Sequence, residues 1–109
     1  MIDLRKLAQG QDCRLRIPGI CNYNPETTVL CHIKERWCGS IKPPDICGVH
    51  GCSACHDEFD GRTHKSGLSR AELDQIALGA LCEQLCWYQL SGINITQRYA
   101  SKRVPRTVR

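Results

Sequence analysis

Cys52 and Cys55, with two residues between them and His56 directly after, constrain this chain more than any other feature. Two thiols at C-x-x-C spacing can chelate a single zinc ion, which structural sites bind tetrahedrally through thiolates. The thirteen residues from Cys52 to His64 hold two thiols, two imidazoles and three carboxylates. The residues after Cys52 read as a helix of about two turns, with Ser53 as its cap and Gly61 as its stop. On such a helix His56 and Asp60, four apart, share one face. The pattern predicts a structural metal beside a second, harder metal site.

The rest of the chain has to supply the missing ligands and stabilise a small core. At 109 residues the chain is one domain near the low end for a self-sufficient core, and it carries one Phe, three Tyr and two Trp. Nine cysteines can compensate as disulfides or as metal ligands. No secretory h-region follows Met1, because Ile2-Asp3-Leu4-Arg5-Lys6 is charged, and no apolar run approaches transmembrane length. With an odd cysteine count beside four histidines, the expectation is a reduced, metal-binding, cytoplasmic chain without membrane contact.

Asp3 can cap a brief helix through Leu4, Leu7 and Ala8, ended by Gly10. Cys13-Arg14-Leu15-Arg16-Ile17 alternates and predicts a strand, with Pro18-Gly19 turning the chain toward Cys21. Thr27 to Ile33 is the best strand, with Val29, Cys31 and Ile33 on one side and Thr28, Leu30 and His32 on the other. Residues 34 to 44 form a long loop ending in Pro43-Pro44. Asp45 to His50 can return as a weak partner strand, interrupted by Gly48. Ser69 and Glu72 make a capping box for a long helix, in which Leu73, Ile76, Ala77, Ala80, Leu81, Leu85 and Tyr88 follow at helical spacing. Leu78, Cys82 and Cys86 form a second apolar row, which predicts burial on more than one side. Gly92 ends the helix.

Four cysteines make the first candidate site: Cys13, Cys21, Cys52 and Cys55, two separated pairs that can clamp two parts of the chain around zinc. Cys38, in the turn-like Trp37-Cys38-Gly39, is the rival for one position. Cys47, Cys82 and Cys86 read as small buried apolar residues. His56 with Asp60 is the second candidate, a pair able to hold one divalent ion, with His64 as a further ligand. The third is His32, whose neutral imidazole can take a proton near pH 7, as a general base on water must. His56 and Asp60 are expected to face His32, and His50 is a spare imidazole.

Together these residues resemble the HNH, or ββα-metal, endonuclease superfamily over about Cys13 to His64. Within it, Val29-Leu30-Cys31-His32-Ile33, Lys42-Pro43-Pro44-Asp45, Ala54-Cys55-His56-Asp57-Glu58 and Arg62-Thr63-His64 are similar to small phage and prophage nucleases of the YbcO-like family. The openings Asp3-Leu4-Arg5-Lys6 and Arg16-Ile17-Pro18-Gly19 fit as well. The resemblance implies a small α+β fold: a zinc-stabilised ββα-metal core at 13–64, a short N-terminal helix and a packing helix at 69–91. That makes one nuclease domain over 1–95, followed by a basic tail at 96–109. It implies His32 as general base, and His56 and Asp60 as ligands of a catalytic Mg2+, Mn2+, Ni2+ or Zn2+ ion. Asp45 takes the orienting role of the superfamily's asparagine, which has no counterpart between His32 and His56. Cys31 stands where the wider superfamily usually has an acidic or histidine ligand.

The implied activity is metal-dependent hydrolysis of phosphodiester bonds in DNA, in a phage or prophage setting with recombination or packaging proteins as partners. Arg14, Arg16, Lys34 and Arg36, with Lys102, Arg103 and Arg106 in an acid-free tail, are candidate phosphate contacts. Nothing resembles a base-reading helix, so little sequence specificity is expected. Cys31 and the missing asparagine support an alternative: a zinc-stabilised nucleic-acid-binding or adaptor module without catalysis.

Overall fold

The computed structural model describes residues 2–34 and 43–95. At its centre β1, Val29–His32, pairs antiparallel with β2, Gly48–Gly51, placing Val29 opposite Gly51 and His32 opposite Gly48. Side chains alternate across such a hairpin, so it has two faces. Cys31 and Val49 on one face are buried with Leu15, Ile17, Cys55 and Phe59. Leu30 on the other is buried with Leu4, Ala8 and Tyr88.

The strands are shorter than the sequence predicts, for local reasons. Thr27 belongs to a 3-10 turn, Pro25–Thr27, capped by Asn24. Its hydroxyl donates to the Asn24 carbonyl at 2.9 Å and accepts from the Ser53 N–H at 3.3 Å. Such side-chain bonds compete with a strand ladder. On the return side Asp45–Cys47 is another 3-10 turn. Gly48, read as an interruption, is required there, because a Cβ would fall inside the Leu30 side chain. At Gly51 a Cβ would lie 2.7 Å from both Cys31 Sγ and Leu15 Cδ1.

The segment Cys13–Ile17 is not a strand. Its burial does alternate, with Cys13, Leu15 and Ile17 inside. Arg16, however, adopts a φ of 45°, in the left-handed region, and the chain curls into a knuckle.

Three helices enclose the hairpin. α1, Leu4–Ala8, is capped by Asp3, whose Oδ1 accepts from Arg5 N at 3.0 Å and Lys6 N at 3.3 Å. α2, Ser53–Phe59, starts from Cys52 rather than Ser53: the Cys52 sulfur accepts from Cys55 N at 3.4 Å. Past its end the buried Glu58 gathers the next loop, accepting from Thr63 Oγ1 at 2.6 Å and from Ser66 N at 2.9 Å. Those bonds, Thr63's first, hold its carboxyl down at about 2.

α3, Arg70–Leu90, has the predicted capping box, with Ser69 and Glu72 bonded reciprocally. Its first half buries Leu73, Ala77 and Ala80 in the Cys31 cluster and its second half buries Tyr88 in the Leu30 cluster. The expected second buried row is absent: Leu78 is 55% exposed, and Cys82 and Cys86 are exposed too. Cys47 is half-buried. One stripe faces the core.

That stripe also completes the hairpin. Gln84, fully buried, donates to the Gly48 carbonyl at 2.7 Å and accepts from the His50 N–H at 2.7 Å. Arg14 N donates to the His50 carbonyl at 2.8 Å. The outer edge of β2 is thereby satisfied without a third strand. None of the described helices is long and apolar enough to cross a membrane.

Candidate metal centre and catalytic cleft

The knuckle and the start of α2 bring four thiols together. The sulfurs of Cys13, Cys21, Cys52 and Cys55 all lie within 4.8 Å of one another. A tetrahedron of zinc–sulfur bonds near 2.3 Å sets sulfur–sulfur distances of about 3.8 Å. The Cys21 and Cys52 sulfurs are 3.9 Å apart.

Backbone donors converge on the same atoms. Arg16 N points at Cys13 Sγ and Ile17 N at Cys55 Sγ, both at 3.4 Å, and Asn22 N points at Cys52 Sγ at 3.5 Å. Donors of this kind favour thiolates. The hydrogen bond from Cys55 pulls Cys13 down to about 4 against the effect of burial, and Arg16 N assists. The same bond, with burial, pushes Cys55 up, and burial pushes Cys21 up to about 11. Thiols this close ionise together only around a cation. The donor set, spacing and N–H groups fit a structural ion such as zinc, which Cys13, Cys21, Cys52 and Cys55 would hold.

The chemistry-bearing histidines fall elsewhere, in two dyads. His32, at the end of β1, meets Asp45, with Nε2 and Oδ1 2.8 Å apart. Arg5 of α1 donates from Nε to the same oxygen at 3.2 Å. Burial raises the Asp45 carboxyl, but the bonds from His32 and Arg5 outweigh it and leave the group below the ordinary carboxylate range. A cavity of about 340 Å³ opens beside them, lined by Arg5, Gln9, Val29, Leu30 and His32.

The second dyad is His56 and Asp60 on α2, with Nε2 and Oδ2 3.0 Å apart and Arg62 Nη2 3.6 Å from the same carboxylate oxygen. Among the described residues no hydrogen bond or ion pair joins this dyad to His32. Strand alternation puts His32 on the side of Leu30 and α1, whereas α2 packs on the side of Cys31. Cys31 is 1% exposed, and its thiol is pushed up by burial and then by the Asp60 charge.

Comparison with known proteins now bears on this arrangement. Residues 2–92 match the model of the family described as "Putative nuclease YbcO". The chain belongs to that family. Proteins of that name from Escherichia coli K12 and from Enterobacteria phage 82 are each 59% identical to it over 66 residues, covering 59% of this chain and 69% of theirs. A solved structure described as "a putative bacteriophage protein" from Escherichia coli K-12 MG1655 superposes with a TM-score of 0.70 at 41% identity. It covers 83% of this chain and 100% of that one.

In this YbcO-family chain the other expected site residues scatter. His64 is exposed in the loop after α2. His50 is fully buried, its ring 5.8 Å from that of Trp87 and 6.1 Å from that of Tyr88, so it is not a spare ligand at the surface. Arg14 and Arg16 both bind Glu83 Oε1 at 2.6 Å, and Arg14 stacks over Trp87. One carboxylate shared by two guanidinium groups leaves a net positive charge there, and the Arg16 side chain is 51% exposed. Lys34 is exposed just beyond β1. Arg36, Cys38, Lys102, Arg103 and Arg106 lie outside the described residues. Arg5 was missed by sequence reasoning: it stands 40 residues from Asp45, and no local pattern couples the two.

Proposed function

We propose that this protein is an HNH-type nuclease that hydrolyses phosphodiester bonds in DNA with little sequence specificity. The nuclease reading is supported by the family and by its phage and prophage relatives. The observation that carries it is the His32–Asp45 pair at 2.8 Å on the wall of an open cleft.

Asp45, ionised, accepts from the Nε2–H of His32 and so fixes the neutral tautomer in which Nδ1 carries the lone pair. Nδ1 is then the atom that takes a proton from the attacking water. Such a base contributes about 10²–10⁴ in rate. His56 and Asp60, four apart on α2, would hold a divalent ion such as Mg2+, Mn2+, Ni2+ or Zn2+. That ion, when bound, supplies charge stabilisation at a phosphodiester oxygen and the leaving oxygen. Cys13, Cys21, Cys52 and Cys55 with zinc would fasten the N-terminal knuckle to the hairpin, since a misplacement of about 1 Å can cost 10²-fold. The setting is the cytoplasm of a bacterial host, with phage recombination or packaging proteins as partners.

Incubating the protein with plasmid and linear DNA in each of the four ions tests this. Nicking by wild type that His32→Ala and His56→Ala both abolish is expected. Equal nicking by wild type and variants overturns it. The buried Cys31, at a position where the wider superfamily usually has a metal ligand, favours a second reading, a DNA-binding module without turnover. Salt-sensitive DNA binding with no nicking in any ion would establish that one instead.

A further inference from the structure

The cleft beside His32 has one feature that the proton-transfer role of His32 leaves unused. Arg5 spends only Nε on Asp45, and its side chain is 52% exposed. Neither of its Nη groups takes part in a hydrogen bond or ion pair with the described residues. The bond to Asp45 anchors the guanidinium at Nε, and Arg5 lines the same cavity as His32 and Gln9. The Nη1/Nη2 edge of that planar group matches the non-bridging oxygens of a phosphate.

Charge points the same way. Asp45 is ionised and would repel a phosphate brought to His32. Arg5 neutralises that carboxylate on one side and presents its remaining donors on the other. The cavity, at about 340 Å³, is within the range of small-ligand sites, and Val29 and Leu30 give it apolar walls. Arg5, Gln9 and His32 beside two apolar residues suit a sugar-phosphate unit, to which the Gln9 amide can donate.

We propose that Arg5, with Gln9 beside it, is the phosphate-binding subsite of this cleft, engaging one backbone phosphate of the nucleic acid next to His32. The proposal rests on the nuclease reading for its substrate and separates from it by measurement. Binding of a short labelled DNA duplex is followed by anisotropy across a salt series, without added divalent ion, for wild type, Arg5→Gln, Arg5→Lys and Gln9→Ala. Cleavage is measured on the same proteins with the ion that supports it, and thermal melting confirms that each is folded.

Arg5→Gln should weaken binding about tenfold and lower the salt slope by about one. Arg5→Lys should keep the slope and lose part of the affinity, because the charge stays and the fork does not. Gln9→Ala should weaken binding a few-fold with the slope unchanged. Unchanged affinity and slope in Arg5→Gln, with only kcat reduced, would show that Arg5 merely braces Asp45 and would overturn the proposal. Loss of affinity in Arg5→Gln, in a wild type that cuts nothing, would uphold the subsite and overturn the nuclease reading. No DNA binding by wild type at any salt would overturn both.

Discussion

Replacing Gln84 by methionine removes a buried amide while nearly keeping its shape. Gln84 is fully buried, and its amide is shared among three partners: the Gly48 carbonyl at 2.7 Å, the His50 N–H at 2.7 Å and the Tyr88 hydroxyl at 3.1 Å. Two of these are main-chain groups on the outer edge of β2, beneath α3. In Gln84→Met one donor and one acceptor lose their partner. Each buried unsatisfied group costs about 1–3 kcal/mol, so the variant should lose about 2–6 kcal/mol. Against the usual total of about 5–15 kcal/mol that is a large fraction. At about 4–8 °C per kcal/mol for a domain of this size, the melting temperature should fall by about 10 °C or more. Urea denaturation at constant metal content measures the free energy, and amide exchange at His50 reports the edge directly. A midpoint shift worth less than about 0.5 kcal/mol, with His50 N–H still protected, would refute the claim that Gln84 stands in for a third strand.

Three further outcomes follow from the same contacts. Metal analysis should find one ion in the Cys13–Cys21–Cys52–Cys55 cluster, and chelation should unfold the knuckle and expose all four thiols to alkylation. The binding free energy of such sites, about 10–16 kcal/mol, rivals the stability of the whole domain. Glu83 is held below the ordinary carboxylate range because its bonds to Arg16 and Arg14 outweigh burial. Its stabilisation is therefore present above the unfolded carboxylate pKa and lost as pH falls through the folded one. Glu83→Gln should flatten that acid limb in pH-dependent urea midpoints and, for so exposed a pair, cost about 1 kcal/mol at most. Leu78→Gln and Cys82→Ser should each leave stability within about 0.5 kcal/mol by thermal melting, since both side chains are exposed.

Much of this architecture is readable from local pattern. The capping box at Ser69 and Glu72 and the short helix after Asp3 depend on residues within one turn of each other, and both form as expected. The four thiols that converge are those picked out by pairing C-x-x-C with Cys13 and Cys21, because ligand type and spacing are local facts. Strand parity was legible too, with Cys31 and Leu30 on opposite faces.

Alternation at Cys13–Ile17 misleads, because a cysteine knuckle buries alternate residues just as a strand does while its N–H groups turn to sulfur. The apolar row of Leu78, Cys82 and Cys86 misled because composition records hydrophobicity and not whether a neighbour covers it. Tertiary structure alone decided which groups share a site. Parity already put His32 and Cys31 on opposite sides, but only tertiary packing set His32 against Asp45. Only the docking of α1 brought Arg5 to an aspartate 40 residues away. The C-x-x-C-His run determined which residues can bind metal and roughly how the chain must bend to let them. Which face each side chain meets was settled by the packing of α1 and α2 on opposite sides of a hairpin of two four-residue strands, a long-range outcome that no local spacing encodes.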